Sequence, residues 1–216
     1  MRMSKEIIGT VSYMGGLPSL LEEFCWSWSQ MIQYNSEYLC GPNQEIFYTR
    51  VKASFHSWAR NKLAEECLGD WIFMLDTDHT FDPDVLARLL IQMNRHKVDV
   101  ISAIYETRHE PHAPVAFKWK GTGFGQIRKW QLEEDERLLR VDSVGCGTIL
   151  IKRTVFDRVR DELGQQPFDV IHPWGEDHSF FRRLMRLGIK VYVDPKIESH
   201  HLVTRGLSLS DYEQPA

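Results

Sequence analysis

The most constraining stretch of the chain runs from Asp70 to Asp84. Its first part, residues 71–75, is an unbroken run of five apolar residues. Such a run suits a strand that is buried on both faces of a parallel sheet, because a half-buried strand would alternate apolar and polar residues. The run ends abruptly in Asp76-Thr-Asp78, and a helix signal follows at once. The stretch therefore predicts a central strand with two carboxylates at its carboxyl end.

Strand and helix patterns alternate through the first half of the chain. We expect strands at 7–12, 45–51, 71–75 and 98–105, and helices at 17–35, 57–68 and 82–96. In the last of these helices, Asp82 should be the N-cap and Pro83 the first helical residue. The alternation predicts an α/β fold with a doubly wound, mostly parallel sheet.

The second half of the chain is less regular. We expect strands at 116–120, 127–131, 138–141 and 148–152, helices at 154–163 and 176–187, and closing strands at 189–193 and 196–203 around an Asp194-Pro195 turn. No repeat, low-complexity tract or linker interrupts the chain. We therefore predict a single domain over 1–216, with halves at 1–105 and 106–203 and a mobile tail at 204–216.

The bulk composition excludes several classes of protein. Hydrophobic residues make up 43% of the chain and charged residues 26%, as in an ordinary globular protein. A net charge of -4 disfavours nucleic acid as a partner. The four cysteines form no C-x-x-C pair, so we expect free, buried thiols. Neither a signal peptide nor a transmembrane segment is recognisable, and we expect a cytoplasmic protein.

Asp76 and Asp78 are candidate metal ligands. The D-x-D pattern alone is weak, since a chain of this length contains about one by chance, and Asp82-x-Asp84 is a second match that helix capping explains. The position of the first pair distinguishes it, because open α/β sheets bind ligands at the carboxyl ends of their strands. Two adjacent carboxylates need a cation, and hard oxygen ligands suit Mg²⁺ or Mn²⁺. The alternative is a solvated turn.

Asp177 is the candidate general base. It follows Gly175 and Glu176 at the start of a helix whose apolar stripe consists of Phe180, Phe181, Leu184 and Leu187. Asp177 falls near the middle of that stripe, where a carboxylate is costly unless it is paired or has a function. The alternative is that both acids only stabilise the helix N-terminus, which explains Glu176 better than Asp177.

His201 is a candidate third metal ligand. On the closing strand it shares the more apolar face with residues 197, 199 and 203, whereas His200 lies on the other face. A single inward histidine is usually a hydrogen-bonded core residue. The carboxylate pair elsewhere in the chain makes ligation credible, since manganese accepts mixed oxygen and imidazole ligands.

Four further residues have both a functional and a structural interpretation. Gly145 and Gly147 could let the backbone approach a ligand closely, or could serve a turn. Trp174 could stack on a sugar ring or pack inside the protein. Arg60, on the helix before the 71–75 strand, could contact a nucleotide phosphate or be solvated.

The order of these motifs resembles that of the family 2-type glycosyltransferases with the GT-A fold. The matching motifs are Asp76-Thr-Asp78, Gly145-Cys-Gly147, Gly175-Glu-Asp177 at a helix start, and His200-His201 on a late strand. The resemblance extends from about residue 7 to residue 202. It implies a divalent cation, Mn²⁺ or Mg²⁺, held on the diphosphate of a nucleotide sugar. It also implies that 1–105 is the nucleotide-sugar half and 106–203 the acceptor and catalytic half.

The resemblance also implies individual roles. Asp78 would be a direct metal ligand and Asp76 would contact the metal or the ribose. His201, or alternatively His200, would be a further metal ligand. Asp177 would match the catalytic base. The remaining sites are Glu176 beside the base, Thr10 and Ser12 near the nucleoside at the end of the first strand, Arg60 on the phosphates, and Gly145, Gly147 and Trp174 at the substrates.

These residues together predict a metal-dependent transfer of one sugar to an acceptor hydroxyl. The chain has no Q-x-x-R-W sequence, which argues against a processive polysaccharide synthase. We expect inversion at the anomeric carbon, with retention as the alternative course. One rival is a nucleotidyltransferase, although residues 13–16 lack the cation that such enzymes usually carry after the first strand. The other rival is a catalytically silent nucleotide-sugar or metal-binding module.

Overall fold

The computed structural model describes residues 5–15, 20–52, 55–129 and 138–203. The helices are α1 (Glu22–Tyr34), α2 (His56–Glu65), α3 (Val85–His96), α4 (Arg153–Leu163) and α5 (Glu176–Arg186). A π-helical segment, Asn35–Leu39, extends α1. The strands are β1 (Glu6–Gly15), β2 (Gln44–Lys52), β3 (Trp71–Asp76), β4 (His79–Phe81), β5 (Val100–Ile104), β6 (Ala116–Trp119), β7 (Phe124–Gln126), β8 (Leu139–Val141), β9 (Ser143–Val144), β10 (Thr148–Lys152) and β11 (Val191–His201).

Eight strands form the central sheet, in the order β2-β1-β3-β10-β5-β11-β4 with β8 paired to β11. The pairs β1–β2, β1–β3 and β5–β11 are parallel, and β10 is antiparallel to both of its neighbours. Strands β7-β6-β9 form a second, antiparallel sheet. The predicted α/β class, with a large mostly parallel sheet and a smaller part, is confirmed.

The central strand β3 shows why its sequence is an unbroken apolar run. Ile72 and Met74 pack on one side of the sheet, in a cluster with residues of α2, α4 and α5. Phe73 and Leu75 pack on the other side, in a cluster with residues of α1 and α3. Both faces of the strand are therefore covered by helices, and every position from Trp71 to Leu75 is buried.

Two predictions at the start of α3 were wrong. The N-cap is Asp84 rather than Asp82, and neither Pro83 nor Asp82 is helical. Arg88 lies near both aspartates, 3.6 Å from Asp82 and 3.9 Å from Asp84, which holds this turn against the helix. The short strand β4 just before it was not predicted, because its pairing partner is the distant end of β11.

The predicted turn at Asp194-Pro195 was also wrong. Strand β11 continues through it with a register shift between Asp194 and Glu198. Proline has no backbone N–H to donate, and a bulge is one of the few positions where a strand tolerates it. After the bulge Glu198 still pairs with Ile104 at the end of β5, and Ser199 to His201 pair with β4.

Other predicted features differ from the structure in smaller ways. The strand expected at 127–131 is wrong over residues 127–129, since β7 ends at Gln126. Residues 130–137 lie outside the described part of the chain, as does the predicted tail. The cysteines are free as predicted, but only Cys67 and Cys146 are buried, since Cys25 is exposed and Cys40 is half-buried. None of the helices in the described ranges has the length and apolar character needed to cross a membrane.

Candidate active site

Asp76 ends β3 at the carboxyl edge of the sheet. Its N–H donates to the Gly147 carbonyl at 2.9 Å, and its Oδ1 lies 3.2 Å from Nη2 of Arg60. Burial alone would raise the pKa of the Asp76 carboxyl, but attraction to Arg60, His79 and His56 outweighs it and lowers that pKa below its ordinary value. The side chain is 28% exposed, so this ionised carboxylate is open to a ligand on one side.

Arg60 joins the end of β3 to the start of α5. Its side chain is only 3% exposed, and its Nε lies 3.2 Å from Asp177 Oδ1 and 3.6 Å from Glu176 Oε1. Nη1 donates to the Cys146 carbonyl at 3.3 Å. Burial lowers the pKa of the guanidinium, but the surrounding carboxylates, with Asp76 the strongest, raise it overall. The structure therefore places Arg60 among three protein carboxylates.

Asp177 lies in the first turn of α5, after the N-cap Gly175. It is half-buried on the inward side of the helix, as its place in the apolar stripe predicts. Its Oδ2 accepts the Cys146 N–H at 3.2 Å, and its Oδ1 faces Arg60. Both oxygens are thus positioned by the protein, while 28% of the side chain stays exposed.

The glycines of Gly145-Cys-Gly147 have a steric reason in the structure. A Cβ on Gly145 would lie 2.0 Å from Tyr105 Oη, and one on Gly147 would lie 2.7 Å from His79 Nε2. The Gly147 N–H donates to Tyr105 Oη at 3.1 Å. Only a chain without side chains at these positions can pass between Tyr105, His79 and the carboxylate end of β3.

Asp78, His79 and His201 form a cluster in which one potential ligand atom of each lies within 4.8 Å of the others. The Nδ1 atom of His201 is 2.6 Å from the Glu106 carbonyl, which can only accept, so Nδ1 carries the proton and Nε2 is available as a ligand. The Nδ1 atom of His79 bonds to Ser199 Oγ at 3.2 Å, whereas its Nε2 is buried and has no hydrogen-bond partner within the described part of the chain.

This cluster fits a divalent cation. One carboxylate oxygen and two imidazole nitrogens are a donor set that first-row divalent metals accept. The unpartnered Nε2 of His79 is the atom that a bound ion would satisfy. Asp76 lies beside the cluster, since the point where a Gly147 Cβ would stand is 3.2 Å from Asp76 Oδ2 and 2.7 Å from His79 Nε2.

Two residues near the cluster differ from the simplest sequence-based interpretation. His79 was not predicted as a ligand, because a histidine after D-x-D looks like a loop residue unless the buried, alternating β4 is recognised. His200 is exposed, opposite Thr80 in the β4–β11 pairing, and lies outside the cluster. The Arg108 guanidinium contacts the Asp78 carboxylate and so approaches the cluster from the loop after β5.

Thr10 and Ser12 lie inside the sheet. The prediction that β1 ends at Ser12 is wrong, because the strand continues to Gly15. The Thr10 hydroxyl donates to the Leu68 carbonyl at 2.8 Å, and the Ser12 hydroxyl lies 3.4 Å from the Phe73 carbonyl. Both side chains are fully buried.

Trp174 belongs to an aromatic group beside the start of α5. Its ring centroid lies 5.9 Å from that of Trp119 and 6.3 Å from that of Phe124. Arg182 lies over the Trp119 ring at 3.9 Å, and His178 stacks on Phe124 at 4.6 Å. These side chains are half-buried, so the group packs internally and still presents surface next to Asp177.

A cavity of about 710 Å³ adjoins the cluster through Tyr105 and His201. Its lining includes the basic or imidazole side chains Lys129, Lys196 and His200. His200 therefore faces this cavity rather than the group of three potential ligands.

The family model for glycosyl transferase family 2 matches residues 33–160. The chain belongs to this family. The matched segment contains Arg60, Asp76 and both glycines around Cys146, whereas Asp177 and His201 follow it. No curated protein matches this family 2 chain by sequence.

Solved structures confirm the GT-A type of fold for this family 2 glycosyltransferase. A197 from STIV superposes with a TM-score of 0.57 at 14% identity, covering 90% of this chain and 86% of that one. GalNAc-T7, crystallised with UDP, GalNAc and Mn²⁺, superposes with a TM-score of 0.59 at 14% identity. That match covers 89% of this chain but only 43% of the GalNAc-T7 chain.

Proposed function

We propose that this family 2 glycosyltransferase moves one sugar from a nucleoside-diphosphate sugar to an acceptor hydroxyl in a metal-dependent reaction. The single observation that carries the proposal is that the guanidinium of Arg60 contacts both the proposed metal side and the proposed base of the site. Arg60 lies 3.2 Å from Asp76 at the metal side and 3.2 Å from Asp177 at the base side. The likeness to GalNAc-T7, a protein solved with UDP, GalNAc and Mn²⁺, supports the donor class.

Asp78 and His201, with Asp76 beside them, are the residues that would hold Mn²⁺ or Mg²⁺. When bound, such an ion stabilises the negative charge that develops on the departing nucleoside diphosphate. The Glu106 carbonyl orients His201 by accepting its Nδ1–H, which supports its role as a nitrogen ligand. His200, exposed on the other face of β11, is the weaker candidate.

Asp177 is proposed to accept the proton of the acceptor hydroxyl. As that oxygen attacks the anomeric carbon, the bond from this carbon to the diphosphate oxygen breaks, and the proton passes to a carboxylate oxygen of Asp177. The Cys146 N–H holds Oδ2 in place, and Nε of Arg60 lies 3.2 Å from Oδ1. Glu176 adds a second carboxylate to this environment. Attack opposite the leaving group gives inversion.

The two predicted halves of the domain then have distinct proposed tasks. Residues 1–105 supply the metal-side carboxylates, and the nucleoside is expected beyond the carboxyl end of β1. Thr10 and Ser12 are fully buried within that strand, so they would support this part of the site without touching the nucleoside. Residues 106–203 supply the base, Gly145 and Gly147, and the aromatic group with Trp174, which is proposed to stack on a substrate sugar. Arg60 is proposed to attract the donor phosphates by its positive charge and to position Asp76 through their ion pair.

A panel of nucleotide sugars with Mn²⁺ tests the function, with slow donor hydrolysis as the readout. Sugar release is the expected result. In a parallel reaction with added pyrophosphate, formation of a nucleoside triphosphate and a sugar 1-phosphate would identify a nucleotidyltransferase. Donor binding without turnover would identify a silent binding module. Analysis of the anomer formed by NMR distinguishes inversion from retention.

The variant Asp177→Asn tests the base. Transfer should fall by roughly 10²- to 10⁴-fold, the usual contribution of a positioned base, while donor binding measured by calorimetry stays near that of the wild type. The matched control is Asp161→Asn, an exposed aspartate on α4, which should leave transfer unchanged. Unchanged turnover in Asp177→Asn would remove Asp177 from the reaction.

A further inference from the structure

His79 lies directly opposite His201 in the pairing of β4 with β11. The two ring centroids are 4.1 Å apart. His79 is fully buried, and β4 alternates so that His79 and Phe81 both point inward. The two imidazoles therefore come from hydrogen-bonded strands of the sheet, which is a more rigid support than a loop would provide.

The Nδ1 side of His79 is occupied by the protein. Ser199 Oγ is 3.2 Å and Thr148 Oγ1 is 3.4 Å from Nδ1, and the two hydroxyl oxygens are 2.8 Å from each other. These contacts hold the ring orientation in the way that outer partners of metal-bound histidines do.

The Nε2 side of His79 faces the cluster of potential metal ligands that it forms with Asp78 and His201. Nε2 is buried and has no hydrogen-bond partner among the residues that the structure describes. A buried ring nitrogen without a partner carries a desolvation cost, whichever tautomer it adopts. The neighbouring Gly147 contributes no side chain, and a Cβ there would stand 2.7 Å from Nε2. The space next to Nε2 is thus kept open by a glycine.

We propose that His79 is a third protein ligand of the metal, and that Asp78, His79 and His201 load a transition-metal ion before any nucleotide binds. Three protein ligands with two imidazoles favour Mn²⁺, Co²⁺ or Zn²⁺. Mg²⁺ prefers oxygen ligands and commonly depends on substrate phosphates and retained water. The site therefore discriminates against Mg²⁺ in the nucleotide-free protein. The use of the bound ion in catalysis rests on the proposed function, but its binding does not.

Metal binding to nucleotide-free protein tests this inference without any turnover. Calorimetry with Mn²⁺, Co²⁺ and Mg²⁺ should show binding of the first two and at least tenfold weaker binding of Mg²⁺. Pulsed EPR of the Mn²⁺ complex counts coordinated imidazole nitrogens and should find two. A count of one, or Mg²⁺ binding as tight as Mn²⁺ binding, would overturn the proposal.

The variant His79→Asn adds a second measurement. It should weaken Co²⁺ and Mn²⁺ binding at least about tenfold, since even partners outside the coordination shell have effects of that size, and should leave the weak Mg²⁺ affinity nearly unchanged. The matched control is His96→Asn, an exposed histidine at the end of α3, which should bind metal like the wild type. Wild-type affinity in a folded His79→Asn protein contradicts the proposal.

The wild-type EPR measurement keeps the test decisive if His79→Asn does not fold. The outcomes also separate this inference from the proposed function. A protein that binds Mn²⁺ through two imidazoles but releases no sugar refutes the transferase proposal alone. A protein that transfers sugar with equal use of Mg²⁺ and a single coordinated imidazole refutes this inference alone.

Discussion

Arg60 Nε and Asp177 Oδ1 lie 3.2 Å apart, yet both atoms are buried and, among the described residues, neither makes a hydrogen bond of acceptable geometry. Their charges attract, but the N–H does not point along the line to the oxygen. Catalytic hydrogen bonds are often poorly aligned in a free enzyme and tighten in the substrate complex. The same guanidinium contacts Asp76, so one cation couples the proposed base to the metal side of the site.

Replacing Arg60 by methionine should destabilise the protein by about 3 kcal/mol at neutral pH, because it removes a buried cation from three half-buried carboxylates. Urea denaturation measures this loss. The control Arg158→Met removes an exposed arginine that pairs with Glu162, and should change the unfolding free energy by about 0.5 kcal/mol or less. If both replacements lowered the unfolding free energy equally, the contacts of Arg60 would stabilise the protein no more than an exposed ion pair does.

The wild-type protein and Arg60→Met should also differ in how their stability depends on pH. The pKa of the Asp76 carboxyl is lower in the folded protein than the ordinary value of 3.8, mainly because Arg60 overcomes the opposing effect of burial. Its contribution to stability is therefore present above about pH 4 and is lost as the pH falls through the folded pKa. The stability difference between wild type and Arg60→Met should narrow from pH 5 to pH 2. A stability difference that stays constant from pH 5 to pH 2 would show that the ion pair of Arg60 with Asp76 does not contribute to stability.

Gly147→Ala should weaken metal binding, because the new Cβ would stand 2.7 Å from His79 Nε2 and 3.2 Å from Asp76 Oδ2. The structural shift that avoids this overlap should also lower the free energy of unfolding by about 1–3 kcal/mol, the usual range for overpacking. Calorimetry with Mn²⁺ and thermal unfolding measure the two effects. In the control Gly123→Ala the Cβ would meet no atom of the described residues within 4 Å, and both quantities should stay near the wild-type values.

Arg108→Gln should strengthen Mn²⁺ binding. The Arg108 guanidinium contacts the Asp78 carboxylate in the ion-free protein, so a cation must compete with it for that ligand. Because the arginine is partly exposed, the gain should be about 0.5–1 kcal/mol, or roughly two- to fivefold in affinity. The control Arg95→Gln alters an exposed arginine on α3. A weaker Mn²⁺ affinity in Arg108→Gln would mean that Arg108 supports the site instead of competing for it.

Trp174→Ala should raise the KM for a carbohydrate acceptor about five- to tenfold, in line with about 1–1.5 kcal/mol for an aromatic contact. Slow hydrolysis of the donor, which needs no acceptor, should stay unchanged. The control is Trp26→Ala on α1, a tryptophan that is 68% exposed. Equal loss of donor hydrolysis and acceptor transfer in Trp174→Ala would assign Trp174 a structural role within the aromatic group.

Local sequence patterns were sufficient for the parts of the protein that depend on near neighbours. The apolar run from Trp71 to Leu75 predicted the buried central strand, since helices cover both of its faces. The helical stripe after Gly175 predicted that Asp177 would be half-buried on an inward face. The order of these motifs predicted the GT-A fold of family 2. In the first two cases the periodicity of one element carries the information, whereas the GT-A fold was implied by the resemblance of the motif order to a known family.

Only the tertiary structure decided which distant groups meet. The cluster of Asp78, His79 and His201 exists because β4 pairs with the end of β11, and that pairing depends on a bulge at Pro195 that resembles a turn in the sequence. The contacts of Arg60 with Asp177 likewise join two helices that are far apart along the chain. A local pattern cannot specify such contacts, because they form when the sheet brings the ends of separate elements to one edge.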